Sequence, residues 1–387
     1  ATSSTSTGEP LEANEPIDAV PEPSARRDLL IQVAVFVAAV LGRLPAQGAW
    51  WNQDDWGLLA RAAGLAGLEP VNGFPARWLS QHFYWQVTWP VFGLNADVHS
   101  LIRIVLHALA AVLITRIGKR VGLAPLPRFL AGLLFAASPL AFTPLYWAAG
   151  IQELLGGFFA ILAVERWLAG RDEGRRALVW ACVAAALSML AKEMGLGLPL
   201  LFLVFAWAGI GVDVRDKAFA WAMILLLMGA AVAEAVLVVM HFPVQAGEPY
   251  ATGGLMRVIY NLGVYGFWMG SVGPIFRANQ TGLMIMAGHA VFVVWLGWGI
   301  WCLKRGLPGG RREGRGLPLL ALVAALMALA PALPLTRHQF PYLAYTAEAA
   351  GALALVTIVP SRFKLRPVVM GVLTAVSYTH LRAHETT

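Results

Sequence analysis

Trp50-Trp51-Asn52-Gln53-Asp54-Asp55-Trp56 sets two adjacent carboxylates among tryptophans, shortly after the first long apolar run of the chain. In 387 residues that are 58% hydrophobic and only 13% charged, acids at such a place need water, a partner or a task. An ordinary solvated loop would also account for them, so position alone leaves both readings open. The decision rests on where the other polar residues fall between the apolar runs.

Those runs set the fold class. Mean hydropathy is +0.64, and the chain holds 15 Trp and 18 Phe. Apolar stretches close to the bilayer-spanning length of about 20 residues recur along almost its whole length. They lack the strict apolar–polar alternation of barrel strands. The expected fold is an all-α polytopic membrane protein. Its spans are expected at 28–44, 99–115, 129–145, 151–167, 177–191, 195–211, 218–240, 283–303, 317–333 and 342–359, with a shortened run from Pro367. That makes ten or eleven spans within a transmembrane domain covering 26–376. Residues 1–25, rich in Ser, Thr, Glu and Pro, cannot bury a core and read as a disordered cytoplasmic tail. The first outer loop, about 45–98, carries Trp78, Phe83, Tyr84, Trp85 and Trp89. It is too apolar for free solution, and its expected form is interfacial helices on the bilayer. Arg257, Asn261 and several glycines interrupt 255–270, which reads as an interfacial or re-entrant helix.

Charge placement supports this layout. With a cytoplasmic N-terminus, Arg26/Arg27, Arg116/Lys119/Arg120/Arg128, Arg166/Arg171/Arg175/Arg176, Arg215/Lys217, Lys304/Arg305/Arg311/Arg312/Arg315 and Arg362/Lys364/Arg366 all fall on one side. This is the positive-inside bias, and it requires that 255–270 does not span. The net charge of +7 is thereby assigned to topology and not to nucleic acid. Cys182 and Cys302 lie inside apolar runs and read as small packing residues. Glu234, within a span, is expected to face the bundle interior.

The opposite side collects Asp54, Asp55, Gln152, Glu153, Lys192, Glu193, His241, Glu248, Arg257, Arg277, Arg337 and His338. Singly, each has a plain explanation: Glu153 could cap a helix, and Lys192 with Glu193 could be an interfacial ion pair. Ionisable residues at span ends are costly unless they meet water or one another, so their gathering on one side points to a cleft.

The order of landmarks resembles the GT-C membrane glycosyltransferases, most closely relatives of the protein O-mannosyltransferases. The resemblance runs through Asp54-Asp55, Pro75-Ala76-Arg77-Trp78-Leu79-Ser80, Phe92-Gly93-Leu94-Asn95 with His99, and Ala191-Lys192-Glu193. It ends on a looser match at Arg337-His338-Gln339-Phe340-Pro341-Tyr342-Leu343-Ala344-Tyr345, where Pro341 stands in place of the family's Arg. It implies a GT-C-like helix bundle and an inverting transfer of a sugar from a polyprenyl-phosphate-linked donor to a hydroxyl of a protein, lipid or glycan. It also implies a bacterial inner-membrane protein with its active site on the outer face.

Such a transfer needs a base for the acceptor hydroxyl and cations for the departing phosphate. Asp54 or Asp55 fits the base; Lys192, Arg257, Arg277 and Arg337 are the candidate phosphate ligands, supported by Arg77, Gln152, Glu153, Glu193 and His338. Some relatives hold a divalent cation on the acidic loop, which would place Mg or Mn at Asp54 or Asp55. The rival readings are a transporter or flippase of lipid-linked glycans and a non-catalytic membrane subunit. Asn279-Gln280-Thr281 fits a glycosylation pattern that a bacterial host would leave unmodified. Residues 377–387 break an apolar run and resemble translated adaptor sequence, so the native chain is expected to continue beyond 376.

Overall fold

The computed structural model describes residues 25–65, 77–241, 251–270, 281–305 and 316–358. The N-terminal tail, Glu248, Arg277, Asn279, the run from Pro367 and the adaptor-like end lie outside the described residues.

The described chain is helical, and its only β pairing is the isolated bridge between Thr252 and Leu335. α1 (Ala25–Arg43) leads into the first loop, where α2 (Asp54–Ala62), a π-helical turn at Trp78–Phe83 and α3 (Tyr84–Phe92) stand where interfacial helices were expected. Asn95 caps α4 (Ala96–Arg120) by accepting the Val98 N–H at 3.3 Å. α5 (Pro125–Ala137) stops at Ser138, because Pro139 cannot donate to the preceding turn and disfavours helical backbone at the residue before it. The turn Pro139–Ala141 and the short α6 (Phe142–Tyr146) continue at 41° to α5. After a second turn, Ala148–Gly150, the chain enters α7 (Ile151–Glu173).

A break of this kind strands carbonyls in apolar surroundings, and three long polar side chains meet them. Arg43 Nε donates to Ala136 O at 3.0 Å and Nη2 to Ser138 O at 2.7 Å. His107 Nε2 lies 3.1 Å from Ala136 O and must donate, since a carbonyl only accepts. Its Nδ1 therefore accepts from the Tyr345 hydroxyl at 3.0 Å. Arg103 Nε donates to Leu145 O at 3.0 Å, and Nη2 to Ser100 Oγ at 2.8 Å. All three side chains are buried, so none is left to lipid.

α8 (Arg175–Ala191) packs along α7 and joins α9 (Leu198–Trp207) through the turn Glu193–Gly197, followed by α10 (Lys217–His241). Glu234 on α10 is buried, as expected. α11 (Leu255–Gly270) crosses α12 (Gly282–Arg305) at glycines: a Cβ at Gly288 would sit 1.7 Å from Gly263 O. From Ile259 to Gly270, α11 packs against the stretch Ile285–Phe292 of α12. α13 (Leu317–Leu329) and α14 (Tyr345–Leu355), with the turn Pro341–Ala344, complete the bundle.

One end of this bundle is an ion network. Glu165 accepts from Arg120 at 2.8 Å and Arg116 at 3.2 Å, and Arg120 also reaches Glu173 at 2.8 Å. Asp28 pairs with Arg128 and, at 2.6 Å, with Lys119, and Arg175 pairs with Asp216 at 2.8 Å. Clusters far apart in sequence thus meet at one end, as the charge pattern required. α7 runs from Glu153 in its first turn to this network, a distance of about 30 Å at 1.5 Å per residue.

Among the described residues, five helical stretches are long and apolar enough to cross a membrane, or six if the bent α5–α6 pair counts as one span. That is fewer than the ten or eleven apolar runs. The run from Pro367 lies outside the described residues, α8 has 17 residues, and other runs are divided into shorter elements. α13 keeps 13 residues and α9 keeps 10, or about 20 Å and 15 Å against a hydrocarbon core of about 30 Å.

Arg43→Leu should lower the thermal unfolding midpoint of the detergent-solubilised protein, because Ala136 O would keep only His107 and Ser138 O only the Ala141 N–H, each lost bond being worth about 0.5–1.5 kcal/mol. An unchanged midpoint would show that the break is held by other means.

Candidate functional site

The two acids that open α2 have different surroundings. Gln53 before them has φ 42°, a left-handed turn that swings the chain from the buried Trp51 into the helix. Asp55 is fully buried; its Oδ2 accepts the Asn52 N–H at 2.8 Å and its Oδ1 accepts the Ala149 N–H at 2.6 Å. It staples α2 to the turn that precedes α7. Burial pushes its carboxyl above the usual aspartate range, against the pull of the Asn52 and Ala149 amides and the Arg103 charge. Asp54, one residue earlier, is exposed and lines a cavity of about 280 Å³.

That cavity gathers side chains from five parts of the chain. The first loop supplies Asp54, Arg61, Arg77 and Gln81; the broken span supplies Thr143 and Trp147. Gln152 and Glu153 come from the first turn of α7, Lys192 from the end of α8, and His338 and Tyr342 from the segment before α14. Asn261 holds this last segment by donating to Leu333 O at 2.8 Å and Leu335 O at 2.7 Å, and Gln339 donates back to Asn261 Oδ1 at 2.5 Å. Tyr342 stacks on Phe340 at 5.1 Å and meets Trp147 edge-on at 6.1 Å, giving the wall an aromatic face.

An alternating charge ladder forms the floor. Arg77 Nε lies 2.5 Å from Glu193 Oε1, while Lys192 Nζ lies 3.0 Å from Glu153 Oε1 and 4.0 Å from Glu193 Oε2. Gly156 admits the lysine: a Cβ there would come within 2.9 Å of Lys192 Cβ. Ser80 Oγ donates to Ala191 O at 2.6 Å and Gln81 to Gln152 at 3.3 Å, clamping the π-helical turn onto α7 and α8. Burial alone would raise the Glu193 carboxyl, but Arg77 and Lys192 outweigh it and hold it down to about 2.

Beneath Lys192, the turn Glu193–Gly197 borders an apolar crevice of about 100 Å³ among α7, α9, α13 and α14. Met194, Leu198 and Leu201 form one wall, and Ile161, Ala321 and Ala349 contribute others. Lys192 on the polar cavity and Met194 on the apolar crevice are thus two residues apart.

Of the residues singled out by sequence, Asp54, Arg77, Gln152, Glu153, Lys192 and His338 line the cavity, and Glu193 stands behind its floor. Asp55 does not line it, because both its oxygens are spent on backbone amides. Arg257 and Arg337 also stay off its wall: the Arg257 guanidinium lies over the Tyr260 ring at 5.1 Å, and Arg337 is exposed beside the Thr252–Leu335 bridge. Arg277 is outside the described residues. Among the described residues, no three His, Cys, Asp or Glu side chains converge as a metal site requires. A divalent cation here would have Asp54 as its acid from the pair and would draw further oxygens from substrate phosphate. Sequence reading missed Arg61, Gln81, Thr143, Trp147 and Tyr342. Arg61 was within reach, since seven residues past Asp54 is two helical turns on the same face.

The fold and site define a multi-helix bundle of membrane-spanning character with a charged cavity at the end away from its basic network. The chain matches no protein-family model and no curated protein.

Glu193→Gln should lower the thermal midpoint at neutral pH by releasing Arg77. Because Glu193's carboxyl is depressed, its contribution is full above about 4.5 and fades as pH falls toward about 2. The gap between variant and wild type should therefore narrow across that window, and a gap independent of pH would contradict the ladder.

Proposed function

We propose that this protein is an inverting glycosyltransferase, moving a sugar from a polyprenyl-phosphate donor to an acceptor hydroxyl at the outer face of the membrane. The observation that supports this reading is the meeting of Asp54 and Lys192 on one polar cavity whose floor adjoins an apolar crevice. An amphipathic donor needs that arrangement, with a polar head against charge and a long tail against hydrocarbon. The positive-inside bias supports a cytoplasmic basic network with the cavity on the other side.

In the proposed step, Asp54 accepts the proton of the acceptor hydroxyl as its oxygen bonds to the anomeric carbon. The bond from that carbon to the phosphate oxygen breaks with its electron pair, and the anomeric configuration inverts in one displacement. Lys192 meets the charge that grows on the departing phosphate; Glu153 occupies one of its three N–H donors and leaves the others for substrate. Glu193 keeps Arg77 in place through their 2.5 Å contact, so the π-helical turn retains its shape. The aromatic face of Trp147 and Tyr342 offers a surface for the sugar ring. A flippase would place its polar groups at mid-membrane, but the buried Arg43 and His107 are occupied with the broken helix.

Asp54→Asn should cut transfer from a polyprenyl-phosphate sugar by about 10²- to 10⁴-fold, the usual share of a general base, while the protein still folds and binds the carrier. Transfer at the wild-type rate in that variant would remove the base and, with it, this reading.

A further inference from the structure

Three cations line the cavity, and they are not equivalent. Arg77 is held by Glu193 at 2.5 Å, and Lys192 is held by Glu153 at 3.0 Å with Glu193 at 4.0 Å. Each of these is matched by an acid of the floor, which is the state a buried charge requires in the absence of substrate. Arg61, in the last turn of α2, makes no ion pair with any carboxylate among the described residues. The other unmatched charge on the wall is Asp54, at the opposite end of the same helix.

Seven residues, or two turns, separate Asp54 from Arg61, so both stand on one face about 10 Å apart along the axis. The two side chains make no ion pair with each other, and both line the cavity. A planar guanidinium presents paired N–H donors that match two phosphate oxygens at once, which a lysine ammonium does not. Its exposure keeps it hydrated and mobile until a ligand arrives, while the paired Lys192 stays fixed below.

We propose that Arg61 is the residue that recognises the phosphate of the lipid carrier and sets the preference for a phosphorylated over an uncharged polyprenyl lipid. The proposal rests on the glycosyl-transfer reading of the same cavity and adds to it a residue that neither the acidic pair nor the Lys192–Glu193 motif discloses. Arg61 holds the anion in the bound donor, and Lys192 acts on the charge that develops when the sugar leaves. Two separate cations divide binding from chemistry.

The test uses the full chain in nanodiscs of zwitterionic lipid, titrated with a long-chain polyprenyl monophosphate, the matching polyprenol, and phosphatidylglycerol. Wild type should prefer polyprenyl phosphate over polyprenol. Arg61→Gln should weaken polyprenyl phosphate binding by about ten- to a hundredfold, the worth of charged hydrogen bonds, and leave polyprenol binding and the thermal midpoint unchanged. Arg61→Lys should fall between the two, because it keeps the charge and loses the fork. If Arg61→Gln binds polyprenyl phosphate as wild type does while wild type keeps its preference, the Arg61 assignment is wrong and the transfer reading stands. If Arg61→Gln loses phosphatidylglycerol and polyprenyl phosphate in equal measure, Arg61 is a bulk headgroup contact and the assignment is wrong. If wild type itself does not distinguish polyprenyl phosphate from polyprenol, the transfer reading fails and Arg61's role goes with it.

Discussion

A backbone carbonyl in hydrocarbon has no water to turn to, and this structure is arranged around a place where several lose their helical partners. Ser138-Pro139 ends α5 inside an apolar stretch, and the chain then makes two short turns before α7 restores regular hydrogen bonding. Arg43, His107 and Arg103 answer that break from α1 and α4, with the Tyr345 hydroxyl of α14 fixing the His107 tautomer. Three helices are thereby tied to one irregular segment. Because the segment is held, Thr143 and Trp147 reach the cavity wall and Gln152 and Glu153 begin α7 at the cavity's edge.

The ends of the bundle differ in how their charge is arranged. At the basic end, Glu165, Glu173, Asp28 and Asp216 each answer arginines or lysines from other helices, giving a network whose partners are already present. At the cavity end the floor is matched in the same way, by Arg77 with Glu193 and Lys192 with Glu153. The rim is not, since Asp54 and Arg61 have no such partners among the described residues. Matched charge lowers the cost of burial, and unmatched charge at a water-filled rim is available for a ligand.

Much of this was legible before any coordinates. Ionisable side chains at the ends of apolar runs carry a cost that only water or a shared site removes, and on that ground Asp54, Glu153, Lys192 and His338 were expected together; they line one cavity, with Arg77, which the resemblance had supplied. Asp54 and Asp55 were offered as alternatives for the base, and the structure separates them. Successive residues on a helix point about 100° apart, so neighbouring acids can meet different surroundings. Asp54 took the cavity and Asp55 took the backbone amides of Asn52 and Ala149. Hydropathy does not register the break at Ser138-Pro139, which divides one expected span into α5 and α6. Gly197 is where a Cβ would stand 2.2 Å from Met327 O, a contact across the fold that no local pattern announces. Arg257 and Arg337 belong to the pairing of 251–254 with 334–336, a tertiary event equally silent in the sequence.

The central claim is that Asp54 and Lys192 share a water-accessible cavity on the face opposite the basic network. Side-specific thiol labelling tests it directly, in a background where Cys182→Ser and Cys302→Ser remove the two buried native thiols. Asp54→Cys and Gln81→Cys should react with a membrane-impermeant maleimide added from outside, and polyprenyl phosphate should protect both. Arg171→Cys should react only after the membrane is opened. Labelling of Asp54→Cys and Arg171→Cys from the same side would contradict the account.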